Sequence, residues 1–204
     1  MMAAMNARVI LGGLCLLAIT PAVAQPVAEK SGPAVSESRS LSPSAARADR
    51  LDAAYAWLRQ ARDNEEAETA RVAVAALLSQ PQSPSAELLV QETGMAMLNG
   101  EDRVAERLLD HMAQSWPDEP QVFLMRGRLR EAQGDRPAAL AAYDQSLERE
   151  PRNIEALLAK GMILRDLKRM DEALKVFQQV LAIAPQLEAA RGLAREVGKY
   201  SRDL

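Results

Sequence analysis

The 204 residues contain one histidine, His111, and one cysteine, Cys15. A lone imidazole can serve as a general base, but one histidine without cysteine partners cannot complete a zinc site, and no G-x-S-x-G turn supplies a nucleophile. His111 lies between Leu109 and Met112 on a mostly polar flank and reads as a surface residue. Cys15 falls in an N-terminal apolar run expected to be removed, which leaves the mature chain without a thiol and without a disulfide framework. Carboxylates cluster at Asp63 with Glu65 and Glu66, at Glu101-Asp102 and at Asp171-Glu172. All three clusters stand at expected helix starts, where the helix dipole favours negative charge, so a structural role outweighs an acid–base one. With no strands there is no strand-then-glycine phosphate loop. A binding surface is the chemistry that remains, with no catalytic residue, metal or cofactor.

The elements that would carry such a surface can be read from composition. Apolar residues make up 48% of the chain but aromatics only 3%. Strands favour aromatic and β-branched residues, so an alanine-rich core of closely approaching helices, an all-α fold, is expected. The formal net charge of −3 supplies no excess of cations to neutralise phosphates, which argues against nucleic acid as a partner.

Arg8 precedes the apolar run Val9 to Ile19, which is followed by Thr20-Pro21-Ala22-Val23-Ala24-Gln25. A basic start, a short apolar core and an Ala-x-Ala site are the parts of a secretory signal peptide, expected over residues 1–24 with cleavage after Ala24. The run is too short to span a bilayer, so no stable membrane anchor is expected after cleavage. Bulky Leu14 before Cys15 argues against a lipoprotein signal. The mature net charge becomes −4, from 24 basic and 28 acidic residues. Residues 25–46 are rich in Ser, Pro and Ala without apolar periodicity and read as a flexible tether.

An internal period organises the remainder of the chain. Pro117, Pro151 and Pro185 are spaced by 34 residues, and the columns Ala105/Ala139/Ala173, Leu109/Tyr143/Phe177 and Leu89/Phe123/Leu157 keep the same register. Gly127 and Gly161 form a further column, with Thr93 in the first copy. Small residues let two helices cross closely, large apolar ones fill the space beside them, and proline ends the second helix. Ala173, Leu174, Phe177, Val180 and Leu181 share one helical face. The expected units are 86–119, 120–153 and 154–187. Asn99-Gly100 and Gly134-Asp135 break first helix from second; the third copy has Lys168-Arg169 there, a weaker break. Asp118, Asp135 and Asn153 are expected N-caps. Residues 47–84 read as a degenerate first hairpin turning at Asp63-Asn64, with Trp57 on its inner face, and 188–204 as a capping helix. Trp116, next to Pro117, is also expected to pack.

These columns resemble the tetratricopeptide repeat, which implies a right-handed α-solenoid of helix–turn–helix hairpins over roughly half of the chain. With the leader and tether, the chain also resembles exported alphaproteobacterial proteins that carry this repeat. In the family the first helix of each unit lines a concave groove. The matching positions here give an apolar stripe of Val90, Met97, Leu124, Leu158 and Met162, bordered by Arg128 and Arg165 and by Glu131 and Asp166. The Lys and Asn clamp some members use for an acidic C-terminal peptide is missing, with Val90 and Gly94 in its place. Adaptable methionines in a groove suit an amphipathic partner. The expectation is a non-catalytic, periplasmic scaffold that binds a protein or peptide of the cell envelope. The alternatives are a structural spacer and an assembly or chaperone factor for an envelope complex.

Overall fold

Short polar side chains open several of the helices. The Asp63 carboxylate accepts the amide of Glu66 at 2.9 Å, and Ser83 Oγ that of Ala86 at 3.2 Å. Asp135 takes the amide of Ala138 at 3.1 Å and Asn153 that of Ala156 at 3.3 Å. Each occupies the position where a short acceptor satisfies an otherwise orphaned N–H. Asp118 does not cap. The next helix starts at Pro120, so Glu119 stands at the cap position and makes no side-chain cap bond.

The computed structural model describes residues 43–80 and 83–200, and these form α-helices and no strand. In order they are α1 Pro43–Gln60, α2 Asn64–Leu78, α3 Pro84–Leu98, α4 Asp102–Ser115, α5 Pro120–Ala132, α6 Arg136–Arg149, α7 Ile154–Asp166, α8 Met170–Ile183 and α9 Glu188–Tyr200. The expected signal peptide at 1–24 and most of the tether lie outside the described residues. α1 begins at Pro43, inside the segment read as tether, with proline in the first turn where its missing N–H costs nothing.

From α3 to α9 each helix packs on the next, giving the all-α solenoid expected from the period. Ala105, Ala139 and Ala173 are fully buried at the crossings, and Leu109, Tyr143 and Phe177 are fully buried beside them. The glycine column explains the aromatic one. A Cβ on Gly127 would overlap the Tyr143 ring, and one on Gly161 would stand 2.5 Å from Phe177 Cε1. Where the first copy has Thr93, the residue sixteen places on shrinks to Leu109. Thr93 is buried, and its hydroxyl is satisfied by donating to Leu89 O at 2.6 Å.

The turns between paired helices need one left-handed residue each. Gly100 at φ 72° and Gly134 at φ 79° supply it, and Lys168 adopts φ 62° in the third unit. The weaker break of the third copy therefore makes the same turn against the Cβ penalty.

The N-terminal hairpin departs from expectation in its placement. α1 and α2 pack on each other, but α2 makes no extended packing on α3 among the described residues. Instead α1 and the start of α2 run past the turns that open α5, α7 and α9. Arg47 pairs with Glu119 at 2.9 Å; Asp52 pairs with Arg152 at 2.8 Å, and Tyr55 OH donates to Arg152 O at 2.9 Å; Asn64 Oδ1 accepts the amide of Glu188 at 2.9 Å. Buried Tyr55, Leu58, Ala67, Ala70 and Val74 join one apolar cluster with Ile154, Leu157, Phe177 and Leu187. The hairpin is thus a brace across the stack and not its first layer. Arg71 stands 34 residues before Ala105, and a charged side chain cannot occupy a helix crossing. Trp57 is correspondingly exposed, donating to Glu66 at 3.1 Å, and does not line the inner face.

Candidate functional site

The surface of interest is the side of the solenoid formed by α3, α5 and α7. Helix periodicity brings one residue per turn of each to this side, and packing within and between the units then decides which remain accessible.

Leu124 is only 3% exposed, buried with Ala139, Tyr143, Ala156 and Ile163 between α5 and α7. It is core, so the apolar stripe read from the sequence is interrupted at its middle. Leu158 is half-buried against the cluster to which α1 and α2 contribute. Met97 packs on the cluster around Leu109 and Met112. Val90 lines a small apolar crevice with Leu78, Met112, Trp116 and Val122, which is where Trp116 packs. Met162, 37% exposed, is the only stripe residue that presents substantial apolar surface.

The bordering charges are tied together. Glu155, in the first turn of α7, accepts from Arg128 of α5 at 3.2 Å and is also paired with Arg71 of α2. One carboxylate thereby joins brace, second unit and third unit, a link between elements that sequence spacing could not reveal. Arg165 reaches Asp166 at 3.1 Å and Glu196 of α9 at 3.8 Å. Glu131 accepts from Tyr143 OH at 2.7 Å. Burial first, then this acceptor, holds the Tyr143 hydroxyl above the ordinary tyrosine range. Tyr55 is raised for a similar reason: burial dominates and the Glu150 charge adds to it. Arg152 stacks over the Tyr55 ring at 4.2 Å.

No group of three or more His, Cys, Asp or Glu side chains among the described residues has the arrangement to hold a metal ion. His111 is exposed on α4. No described helix is long and apolar enough to cross a membrane. Of the predicted groove residues, Met162 and Arg128 stand exposed, while Arg165 is partly buried in its ion pairs.

Residues 124–188 match the tetratricopeptide repeat family. The match runs from α5 to the first residue of α9, and the tetratricopeptide-repeat fold extends beyond it in the solved structures that resemble this chain. The first tetratricopeptide domain of Spaghetti (RPAP3), solved bound to the HSP90 peptide SRMEEVD, is 16% identical. It covers 56% of this chain and 94% of its own, with a TM-score of 0.52. The Yersinia enterocolitica type III secretion translocator chaperone SycD is 15% identical, covering 65% and 95%, with a TM-score of 0.53. The MamA RS-1 ArsTM double mutant is 25% identical over 58% of this chain and 68% of that one, with a TM-score of 0.50. No curated protein matches the chain.

Proposed function

We infer that the chain is a non-catalytic protein-binding scaffold of the cell envelope that holds a peptide segment of its partner on the open strip of α5 and α7. The observation that carries this is Met162, an exposed, shape-adaptable side chain one helical turn before Arg165 on α7, the helix whose Glu155 holds Arg128 of α5, on the side by which tetratricopeptide stacks bind. The structure of a similar fold holding an HSP90 peptide supports the mode of binding. Its ligand is not carried over, because the Lys and Asn clamp types are absent here. The leader-type residues at 1–24 support export, with the periplasm as the destination.

The brace makes the site shorter than a full solenoid groove, since Arg71 of α2 holds Glu155 and Leu158 is half-buried against the cluster to which α1 and α2 contribute. A partner therefore meets a single apolar anchor flanked by guanidinium groups, which fits a short amphipathic segment carrying one large apolar residue and neighbouring carboxylates. The test is the full chain with Met162→Glu and Arg165→Glu, crosslinked in its own cells. Met162 is exposed, but Arg165 is partly buried and paired with Asp166 and Glu196, so the double variant should lose about 1 kcal/mol and its folding is checked by thermal melting. Loss of the trapped partner is expected; undiminished trapping would contradict the assignment.

A further inference from the structure

The hairpin of α1 and α2 sits on the stack in a register of its own. Along α2, Asn64 takes the amide of Glu188, Arg71 pairs with Glu155, and Leu78 closes a crevice against Gln121 and Val122. These three α2 residues are seven apart; Gln121 and Glu155 are 34 apart, and Glu188 falls one short of the next repeat. Seven residues rise about 10 Å along a helix, the order of the distance between packed helices. α2 therefore crosses the first turns of α9, α7 and α5 in turn, one repeat for every two of its own turns. Its buried residues between these anchors are Ala67, Ala70 and Val74, none larger than valine. Arg47 of α1 donates to the carbonyls of Leu77 and Leu78 at 3.3 and 3.2 Å, which binds the two helices into one piece. That piece makes no extended packing on α3 among the described residues, and the crossings at Ala105, Ala139 and Ala173 lie outside it.

We propose that α2 is a strap over a helix-binding seat, filled in cis, and that the seat's partner in trans is an amphipathic helix of a second protein with the chemistry α2 displays. That chemistry is small apolar residues at positions i, i+3 and i+7 with a cation at i+4, set on the Glu155 carboxylate. The seated helix shows what fits. Alanine-sized contacts bury little apolar area, so recognition falls on the charge-assisted pair at Glu155. Arg128 holds Glu155 from α5 and keeps that carboxylate in place when one helix replaces another. In the unaltered chain the seat is closed, because a helix tethered in cis competes at high effective concentration. The seat is separate from the strip at Met162, two turns further along α7.

Titration of a labelled peptide of residues 43–79 into the purified full chain tests this. The unaltered chain should bind it weakly. In Arg71→Glu the chain's own hairpin meets Glu155 with like charge, and the peptide should bind at least about tenfold more tightly, since apparent affinity rises with the fraction of open seats. Asn64→Ala, which loosens α2 at α9 and leaves Glu155 as it is, should move affinity the same way. Glu155→Arg should reverse the choice, taking the peptide that carries Arg71→Glu over the unaltered peptide. Circular dichroism checks that each chain keeps its helices. Affinity unchanged in both Arg71→Glu and Asn64→Ala would overturn the strap, and binding indifferent to the charge at 155 would overturn the role of Glu155. A dimer of unaltered chains that exchange hairpins, seen by sedimentation, would overturn the assignment to a second protein.

Discussion

At single positions the fold rests on matched volumes sixteen residues apart. Gly161 exists because Phe177 needs its space, and Gly161→Ala is expected to cost roughly 1–3 kcal/mol by overpacking. Phe177→Ala should cost roughly 3–5 kcal/mol as a cavity in a fully buried site. Adding Phe177→Leu to Gly161→Ala should recover part of the first loss, because Leu109 beside Thr93 already shows the smaller pairing. Thermal melting of the four proteins checks this. Lys168 is a favourable case for improvement: it holds φ 62° where the other units use glycine, and Lys168→Gly should stabilise by about 0.5–1 kcal/mol. The tyrosines set a pH limit. Both folded-state values lie above the unfolded one, so their contribution is fully present below about pH 10, where the unfolded tyrosine begins to ionise, and is lost progressively as pH rises from there towards the folded-state values. The melting temperature should fall above that pH, and fall less steeply in Tyr143→Phe.

Among the elements, Asn64 has a role out of proportion to its size. It is the first residue of α2, yet its side chain takes the amide of Glu188 and so caps α9 from another hairpin. Asn64→Ala should cost about 1 kcal/mol and speed amide exchange in the first turn of α9. No local pattern announces such a cap. The helices α3 to α8 were legible because stacking imposes the same crossing, and hence the same small and large residues, every 34 positions. α1 and α2 were legible as a hairpin from their periodicity and the Asp63 turn. Their location was not, since the contacts that set it join residues from 72 to 124 places apart, as in Arg47–Glu119 and Asn64–Glu188. The same gap explains the binding stripe. Periodicity put Leu124 and Met162 on one side of their helices, but only packing separates the buried leucine from the exposed methionine.

For the molecule as a whole, the brace changes a solenoid into a closed arrangement. A plain stack of repeats frays from its ends, since each unit touches only its neighbours. Here α1 and the start of α2 tie the turns before α5, α7 and α9 together, so these units should open as one step in hydrogen exchange, and Arg71→Glu should divide that step. The same placement leaves a short open strip on one side and an apolar face at the first unit. The central claim is that partners meet the strip that the brace leaves exposed. Photo-reactive residues placed singly at Met162, Arg165, Leu158 and Leu124 in the full chain, irradiated in cells, test it most directly. Partner adducts are expected from 162 and 165 and not from 158 or 124. Equal adducts from 158, or none from 162 and 165, would contradict it.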